Sequence, residues 1–267
     1  MTSSSQTDGK ILIIAGSDSG GGAGIQADIK TATALKTYCA TAITCLTAQN
    51  SQKVYEIFYP PSAFLGKQIK VVLDDIKIDV IKIGMLGSSE IINEVAKVLK
   101  QKAKNIPIIL DPVMVATSGD SLLEDSAIEI LKTELLRNCY LITPNIFEAE
   151  ILATMKINNI SDVRIAAKKI KMVGARNILI KGGHLDSGNK IYNFLLKEDD
   201  EEQIFSNKKL SFGNVHGTGC ALASAIACFL SKNNNLESAI KKANKFTYNA
   251  IKNSTNIGLG SRILKHY

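Results

Sequence analysis

The chain lacks the features that mark several large classes of protein. Its five cysteines are scattered and show no C-x-x-C spacing, which argues against a disulfide framework and a structural zinc site. No apolar run approaches the roughly 20 residues that a membrane helix needs, and residues 1–8 are too polar for a secretory signal. We therefore expect a cytoplasmic protein in a reducing compartment, with no membrane partner.

The standard nucleotide-binding and esterase signatures are also missing. The glycine-dense segment 16–24 has no Gly-Lys-Ser/Thr ending and no G-x-G-x-x-G pattern, so it is not a conventional P-loop or dinucleotide loop. Gly217 and Gly219 fail the dinucleotide pattern too, because Leu222 stands in the place of the third glycine. The chain contains no G-x-S-x-G nucleophile elbow.

A formal net charge of +7 raises the question of nucleic-acid binding. The lysines are spread along amphipathic helices, without a basic block interleaved with aromatic residues. We expect solvated lysine-rich faces, no nucleic-acid partner, and a charge balance that suits an anionic substrate such as a nucleotide.

Short β-branched runs alternate with helical patterns, which predicts an α/β fold with a mainly parallel sheet and helices on both faces. The predicted strands are 11–15, 40–46, 80–83, 106–110, 140–143 and 177–180, and the helices between them are 25–35, 62–76, 89–102, 126–136, 147–154 and 163–173. A small antiparallel edge at 190–196, 203–205 and 210–212 precedes helices 221–231 and 236–252. We expect a polar, flexible leader at residues 1–9 and a single domain over residues 10–267.

Polar or glycine-rich residues follow each of the six predicted strands. These segments are 16–24, 47–50, 84–87, 111–114, 143–145 and 181–184. Ligands gather at the carboxyl ends of the strands in such folds, so we expect one active site along this rim.

The segment from Gly217 to Cys220 opens directly into an apolar helix. Glycines at a helix N-terminus bring N–H groups together at the positive end of the helix dipole, which makes an anion site. The same position is expected to lower the pKa of the Cys220 thiol, so the segment predicts phosphoryl transfer. The alternative is a helix start with glycines for close packing and a small buried cysteine.

Three charged residues at the strand ends are candidates for a phosphate and magnesium site. Asp111 and Glu148 offer the oxygen ligands that magnesium prefers; the alternatives are a turn residue before proline and a first-turn helix charge. Lys181 ends an apolar strand at the rim, where its ammonium suits a phosphate better than an ordinary surface role.

Asp28 and Gln49 are expected to bring hydrogen-bonding groups to an apolar pocket near Met85 and Val113. The Gln49 amide presents a donor beside an acceptor, which pairs with the edge of an aminopyrimidine ring. The alternative for Gln49 is a loop residue that satisfies its own backbone.

Together these segments resemble the hydroxymethylpyrimidine/phosphomethylpyrimidine kinases of thiamin biosynthesis, in the ribokinase-like superfamily. The matching segments run in family order over nearly the whole chain and are 14–18, 21–28, 47–50, 82–86, 111–115, 143–150, 180–184 and 216–220. The resemblance implies a ribokinase-like sheet flanked by helices, ATP and magnesium as cosubstrates, and a cytoplasmic homodimer. It also implies two reactions, phosphorylation of the hydroxymethyl group and then of the resulting monophosphate. From the length of the chain we expect it to lack the second enzyme that some relatives carry as a fusion.

The resemblance also assigns roles to residues of this chain. Gly16, Asp28 and Gln49 match pyrimidine-pocket positions, and Met85 and Val113 match the apolar walls. The turn of Gly217, Thr218 and Gly219 matches the anion hole, with Cys220 as the catalytic cysteine. Positions that match the surroundings of the nucleotide phosphates and magnesium are Asp111, Asn145, Glu148 and Lys181.

Several alternatives remain open at this point. A pyridoxal kinase is the closest, since related kinases with the same ending act on pyridoxal, and Gln49 favours the aminopyrimidine without excluding it. A sugar kinase is expected to carry aspartate in place of Cys220, and a thiazole kinase is expected to lack Gln49. A ligand sensor without activity and a nucleic-acid binder are further alternatives. Thr117 stands where relatives often carry lysine, and its effect on nucleotide binding is open.

Overall fold

A computed structural model describes residues 9–115, 122–182, 188–210 and 215–267 of the chain. The main strands are β1 (Lys10–Asp18), β2 (Tyr38–Gln49), β3 (Val54–Phe58), β4 (Val80–Ile83), β5 (Ile108–Leu110), β6 (Leu141–Ile142), β7 (Asn177–Lys181), β8 (Lys190–Leu196) and β9 (Glu202–Lys208). A separate short pair is formed by β10 (Val215–His216) and β11 (Arg262–Ile263). The helices are α1 (Gly24–Ala34), α2 (Ser62–Asp75), α3 (Ser89–Lys102), α4 (Asp125–Ile130), α5 (Ile146–Ala153), α6 (Ile160–Val173), α7 (Thr218–Ser231) and α8 (Leu236–Lys252).

The main sheet has the strand order β3-β2-β1-β4-β5-β6-β7-β8-β9. The strands from β2 to β7 in this order are parallel, whereas β3 at one edge and β8 and β9 at the other are antiparallel. The chain moves from β1 to β2 on one side and later returns to β4 on the other. The carboxyl ends of β1 and β4 therefore border the switch point at which ligands bind in doubly wound sheets.

Alternate residues of the central strands point into two separate cores. In β1, Leu12 and Ile14 belong to the core beneath α2 to α6, while Ile11 and Ile13 belong to the core beneath α1, α7 and α8. Burial on both faces explains why the central strands are almost entirely apolar in sequence. The result is a three-layer arrangement that confirms the predicted sheet with helices on both faces.

Most predicted elements occur within a few residues of their expected bounds, and three local expectations were wrong. The predicted helix 126–136 is α4 followed by a π-helical turn at Leu131–Leu135 and a 3₁₀ turn at Leu136–Asn138. Strands β3, β10 and β11 were not predicted. Gly9, which we had placed in the polar leader, is buried, and its carbonyl accepts the Tyr38 N–H at 3.0 Å.

Residues 211–214, which include part of the predicted edge segment 210–212, lie outside the described part of the chain, as do Thr117 and His184. All five cysteines are described and carry free thiols. Across the described residues, no helix has both the length and the apolar character that crossing a membrane would require.

Candidate active site

Two glycine segments meet at the carboxyl end of β1. We call residues 16–24 the first glycine loop and residues 217–220 the second glycine turn. Gly217 has a φ of 83°, and a Cβ atom on it would lie 2.0 Å from the Gly22 carbonyl oxygen. A Cβ atom on Gly22 would lie 2.4 Å from Cδ2 of His216. Gly217 is needed because its backbone touches that of Gly22, and Gly22 is needed because the His216 ring lies against it.

The first glycine loop closes around its own carboxylate. Asp18 accepts N–H hydrogen bonds from Gly20 at 2.8 Å, Gly22 at 3.0 Å and Ala23 at 2.8 Å. Its Oδ2 also lies 3.1 Å from Nε2 of His216. Burial opposes ionisation of Asp18, but His216 and the backbone N–H groups outweigh it, so the pKa lies below its usual value. The amides of this loop that could bind an anion are therefore already bonded to Asp18.

The second glycine turn presents a helix N-terminus beside a lysine. The first intrahelical bond of α7 runs from the Ala221 N–H to the Gly217 carbonyl, so the three amides before it lie at the positive end of the helix. A Cβ atom on Gly219 would lie 3.1 Å from Nζ of Lys181 and 3.5 Å from Oδ2 of Asp111. The Thr218 hydroxyl donates to the Val215 carbonyl at 2.9 Å, so this side chain is bonded to the main chain before the helix.

Lys181 and two acids form a charged cluster at the ends of β5 and β7. Nζ of Lys181 donates to Oδ1 of Asp111 at 2.7 Å, and the Thr143 hydroxyl donates to the same oxygen at 3.1 Å. Asn145 and Glu148 form a reciprocal capping box at the start of α5, with bonds of 2.7 and 2.9 Å. Burial raises the pKa of Glu148 to about 7; Lys181 opposes this rise and Asp111 adds to it. Glu148 therefore caps α5, as the alternative interpretation predicted, and it also belongs to the charged cluster.

The predicted apolar wall is present at the ends of β2 and β4. Met85 and Val113 belong to one small cluster with Cys45 and Tyr59. The Cys45 and Met85 sulfurs lie 3.9 Å apart, and a Cβ atom on Gly16 would lie 2.7 Å from Sγ of Cys45. Cys45 and Tyr59 were absent from our predicted site, because neither stands in a segment with a recognisable chemical signal.

Gln49 contacts the first glycine loop and His216, the residue directly before the second glycine turn. Its Oε1 accepts the Thr47 hydroxyl at 3.0 Å, and its Nε2 lies 3.3 Å from Nε2 of His216. Its main-chain N–H donates to the Ser19 hydroxyl at 2.9 Å. His216, which we had not proposed as a site residue, thus connects Gln49 to Asp18; its position directly before Gly217 was the available signal.

Asp28 is not placed at the apolar pocket. Its side chain is fully buried, and both of its oxygens bind Nζ of Lys82 at 2.8 and 3.0 Å. Its Oδ1 also accepts the Ser224 hydroxyl at 2.7 Å. Asp28 is thus bonded to Lys82 and Ser224 within the core, and its contact with a substrate stays a prediction.

The expectation of a lowered thiol pKa at Cys220 was wrong. The residue lies on the predicted turn and is half-buried. Burial raises its pKa to about 11, and the opposing effects of Lys82 and of the Gly24 N–H do not compensate. Loss of hydration on burial therefore raises the thiol pKa more than the position at the helix N-terminus lowers it.

The arrangement defines a class of protein. The apolar cluster lies near the switch point of a doubly wound sheet, and a helix N-terminus and a lysine lie at the same rim. Such groups suit a small molecule held against the phosphates of a nucleotide. The fold is that of the ribokinase-like small-molecule kinases.

Comparisons with known proteins identify the family. The family model described as phosphomethylpyrimidine kinase matches residues 18–265. The hydroxymethylpyrimidine/phosphomethylpyrimidine kinase of Bacillus subtilis is 39% identical, over 97% of this chain and 94% of that protein. The chain belongs to the phosphomethylpyrimidine kinase family.

Further similarities describe the range of relatives. A thiamine biosynthesis bifunctional protein of Geobacter sulfurreducens is 42% identical over 97% of this chain, and the chain spans 52% of its length. Two other relatives are likewise matched over about half of their length. The structure of a Staphylococcus aureus pyridoxal kinase in complex with AMP-PCP and pyridoxal superposes with a TM-score of 0.87, at 32% identity, covering 97% of this chain and 93% of that one.

Proposed function

We propose that this chain transfers the γ-phosphoryl group of ATP to the hydroxymethyl group of 4-amino-5-hydroxymethyl-2-methylpyrimidine, and then phosphorylates the resulting monophosphate. The observation that carries the proposal is the second glycine turn, where Gly219 lies against Lys181 and Asp111 at the head of α7. Family membership and the apolar wall of Met85 and Val113 support the pyrimidine as the acceptor.

The chemistry follows from the groups at this turn. The amides of residues 218–220 and the ammonium of Lys181 would neutralise the charge that spreads over the transferring phosphoryl group. Because these dipoles are fixed by α7 and β7, they require little rearrangement during the reaction. The apolar wall would place the pyrimidine hydroxyl in line with the phosphate.

Magnesium fits the acids of the charged cluster. Burial and Asp111 raise the pKa of Glu148 despite the nearby Lys181, so additional positive charge is favourable there. Asp111 and Glu148 would hold the cation together with water and nucleotide phosphates, since magnesium commonly keeps several waters and takes only one or two carboxylates. Bound magnesium would supply further charge neutralisation on those phosphates.

Cys220 has a different task in each step. In the first reaction the acceptor is a hydroxyl that must lose its proton, and the Cys220 sulfur is the proposed acceptor of that proton. Since the thiol pKa is raised to about 11, we expect the kcat of the first reaction to increase with pH between 7 and 10. In the second reaction the acceptor is a phosphate oxygen, which needs little deprotonation at neutral pH.

Single-turnover rates of Cys220→Ala test this assignment. We expect roughly a hundredfold loss in the first step and less than a tenfold loss in the second. Equal losses in both steps would favour a positioning role for the thiol. Cys228→Ala, a buried cysteine two turns along α7, is the matched control and should leave both rates unchanged.

The substrate itself is tested by a phosphorylation assay with ATP and magnesium that compares hydroxymethylpyrimidine, its monophosphate and pyridoxal. Turnover of both pyrimidines with poor turnover of pyridoxal is expected. The structural similarity to a pyridoxal kinase makes salvage of pyridoxal the second candidate function. Turnover of pyridoxal without phosphorylation of the monophosphate would establish that candidate and remove the proposed role of Gln49.

We also propose a homodimer in the cytoplasm. Leu46 and Phe58 face each other across β2 and β3 and are 44% and 60% exposed, and Tyr55 and Phe64 are similarly exposed nearby in sequence. Apolar side chains of this size on an edge strand suit burial against a second copy. Sedimentation equilibrium of Phe58→Glu beside the wild type tests the dimer, and the five free thiols support a reducing compartment.

A further inference from the structure

A charged triad of Lys82, Asp28 and Ser224 lies in the core next to the second glycine turn. Lys82 and Asp28 are both 0% exposed, and their charged atoms are 2.8 Å apart. The Ser224 hydroxyl donates to Asp28 at 2.7 Å. The three residues come from β4, α1 and α7, so the triad joins one strand to two helices of the same layer.

Stability alone does not account for this triad. Removal of two charges from water is expensive, and replacing a buried ion pair with apolar residues of similar volume is often neutral or stabilising. The neighbours of Lys82 in β4 are buried and apolar, so an apolar residue would suit the same position. The pair therefore points to a role for its charge.

The triad is placed one helical turn from Cys220. Ser224 follows Cys220 by four residues in α7, so the two side chains share a face of that helix. A Cβ atom on Gly84 would lie 2.9 Å from Nζ of Lys82, which puts the ammonium at the end of β4, beside the turn that leads to Met85. Of the charges around Cys220, Lys82 has the largest effect on the thiol and Asp28 a smaller opposite one. The Gly84 contact therefore places the ammonium at the strand end that borders the site.

We propose that Lys82 is a positioning residue of phosphoryl transfer: its buried ammonium supplies fixed positive charge beneath Cys220 and the head of α7, and Asp28 and Ser224 hold it there. This inference rests on the proposed kinase function. It also replaces the predicted contact between Asp28 and the substrate. No bond to Lys82 forms or breaks; its charge stabilises negative charge that develops at the sulfur and at the phosphoryl oxygens.

The decisive variants remove both charges at once. Lys82→Met alone would leave a buried, unpaired carboxylate and is expected to unfold the chain. The double variant Lys82→Met with Asp28→Leu is apolar, and Lys82→Gln with Asp28→Asn keeps hydrogen-bonding groups without net charges. We expect both doubles to fold, with KM values for ATP and pyrimidine within about threefold of wild type and kcat lowered roughly 10- to 100-fold in both reactions.

A second readout does not depend on turnover. In a Cys39→Ser background, Cys220 is the remaining cysteine that is not buried. Its alkylation by iodoacetamide as a function of pH, followed by peptide mass spectrometry, should shift to higher pH in both doubles. Ser231→Ala, which removes a buried hydroxyl of α7 that bonds the Cys228 carbonyl outside the triad, keeps both charges and is the control, with an expected kcat within about threefold of wild type.

Two results would overturn the inference. Folded doubles with wild-type kcat and an unchanged alkylation profile would show that the triad is only structural. A KM for the pyrimidine raised tenfold or more at unchanged kcat would show that Asp28 contacts the substrate after all. If wild type phosphorylates none of the tested compounds, the proposed function fails, whereas the alkylation profile still decides whether Lys82 acts on Cys220.

Discussion

The two glycine segments look alike in sequence and do different work in the structure. Both follow strand ends, both are rich in glycine, and both bring backbone N–H groups together. In the first glycine loop the amides of Gly20, Gly22 and Ala23 already bind Asp18. In the second glycine turn the amides lie at the head of the 14-residue helix α7, next to Lys181.

The difference teaches how to recognise an anion site among glycine-rich turns. Density of glycine predicts close backbone approach, and it does not say which anion the amides bind. Where the loop contains its own carboxylate, as at Asp18, the amides donate to that carboxylate and the loop acts as a rigid support. Where the amides instead begin a long helix beside a lysine, they are available to bind a ligand.

The largest effect is expected when the contact between the two segments is broken. Gly217 has a positive φ, and in Gly217→Ala the new methyl group would overlap the Gly22 carbonyl. The two segments must then move apart, and the amides no longer point toward the phosphate. We expect kcat to fall roughly 1000-fold. Gly188→Ala is the matched control, because Gly188 also has a positive φ of 66° but nothing lies within 4 Å of its added Cβ.

For Gly188→Ala we expect a loss of roughly 1 kcal/mol in the free energy of unfolding from backbone strain, with unchanged kcat. Urea denaturation and steady-state assays of the two variants separate strain from overlap. Similar kinetics in both variants would mean that contact between the glycine segments is unimportant for catalysis.

Removal of the lysine at the second glycine turn should be the next largest effect. Lys181→Met deletes the ammonium beside Gly219 and leaves Asp111 without its ion pair. We expect kcat/KM for ATP to fall roughly 100-fold or more. Lys168→Met, at a side chain that is 63% exposed, should behave as wild type. A comparable loss in both variants would indicate a general effect of charge.

The titration of Glu148 gives a third test of the turn's surroundings. Its pKa of about 7 is above the usual 4.5, so the stability that this group contributes is fully present below pH 4.5 and is lost as pH rises through 7. Without ligands, Glu148→Gln should therefore be more stable than wild type at pH 8, by roughly 1 to 3 kcal/mol, and equal to it at pH 4.5. Burial is the main cause of the raised pKa; Asp111 adds to it, and Lys181 and the main chain of Asn145 and Met114 oppose it.

Glu150→Gln, two residues further along α5, is the opposite case. Hydrogen bonds from the Ile157 N–H and Lys156 lower the pKa of Glu150, so its neutral replacement should not stabilise the chain at pH 8. Thermal melts of both variants at pH 4.5 and pH 8 measure these stability differences. A stabilisation that is independent of pH would contradict the assignment.

Local patterns explain which parts of the fold could be predicted. Helix α3 and strand β8 occur with their predicted bounds, because the Ser88 cap and the apolar periodicity are encoded within each segment. Strands β10 and β11 have two residues each, which is too short for any periodicity. The π-helical turn after α4 depends on packing and leaves no local signal.

The site could be predicted only as far as single segments carry chemistry. The residues of the rim follow from strand ends and from family resemblance. The Asp18–His216 pair joins residues 198 positions apart, and the Lys82–Asp28 pair joins residues 54 positions apart, so neither pairing is visible in sequence. A lone lysine inside the apolar strand β4 was a visible sign that Lys82 must have a buried partner.

The smallest effect should come from the first glycine loop, and it completes the comparison. Asp18→Asn weakens the acceptor of three N–H groups and the pairing with His216. We expect roughly 1 to 2 kcal/mol less stability at pH 7 and a kcat within about threefold of wild type. Because the folded pKa of Asp18 lies below 3.8, its contribution is present above pH 3.8 and is lost as pH falls through the lower value. The stability difference measured by urea denaturation should therefore shrink as the pH is lowered below 3.8. A loss of kcat as large as in Lys181→Met would show that the first glycine loop binds the phosphate as well, and that the two segments act as one anion site.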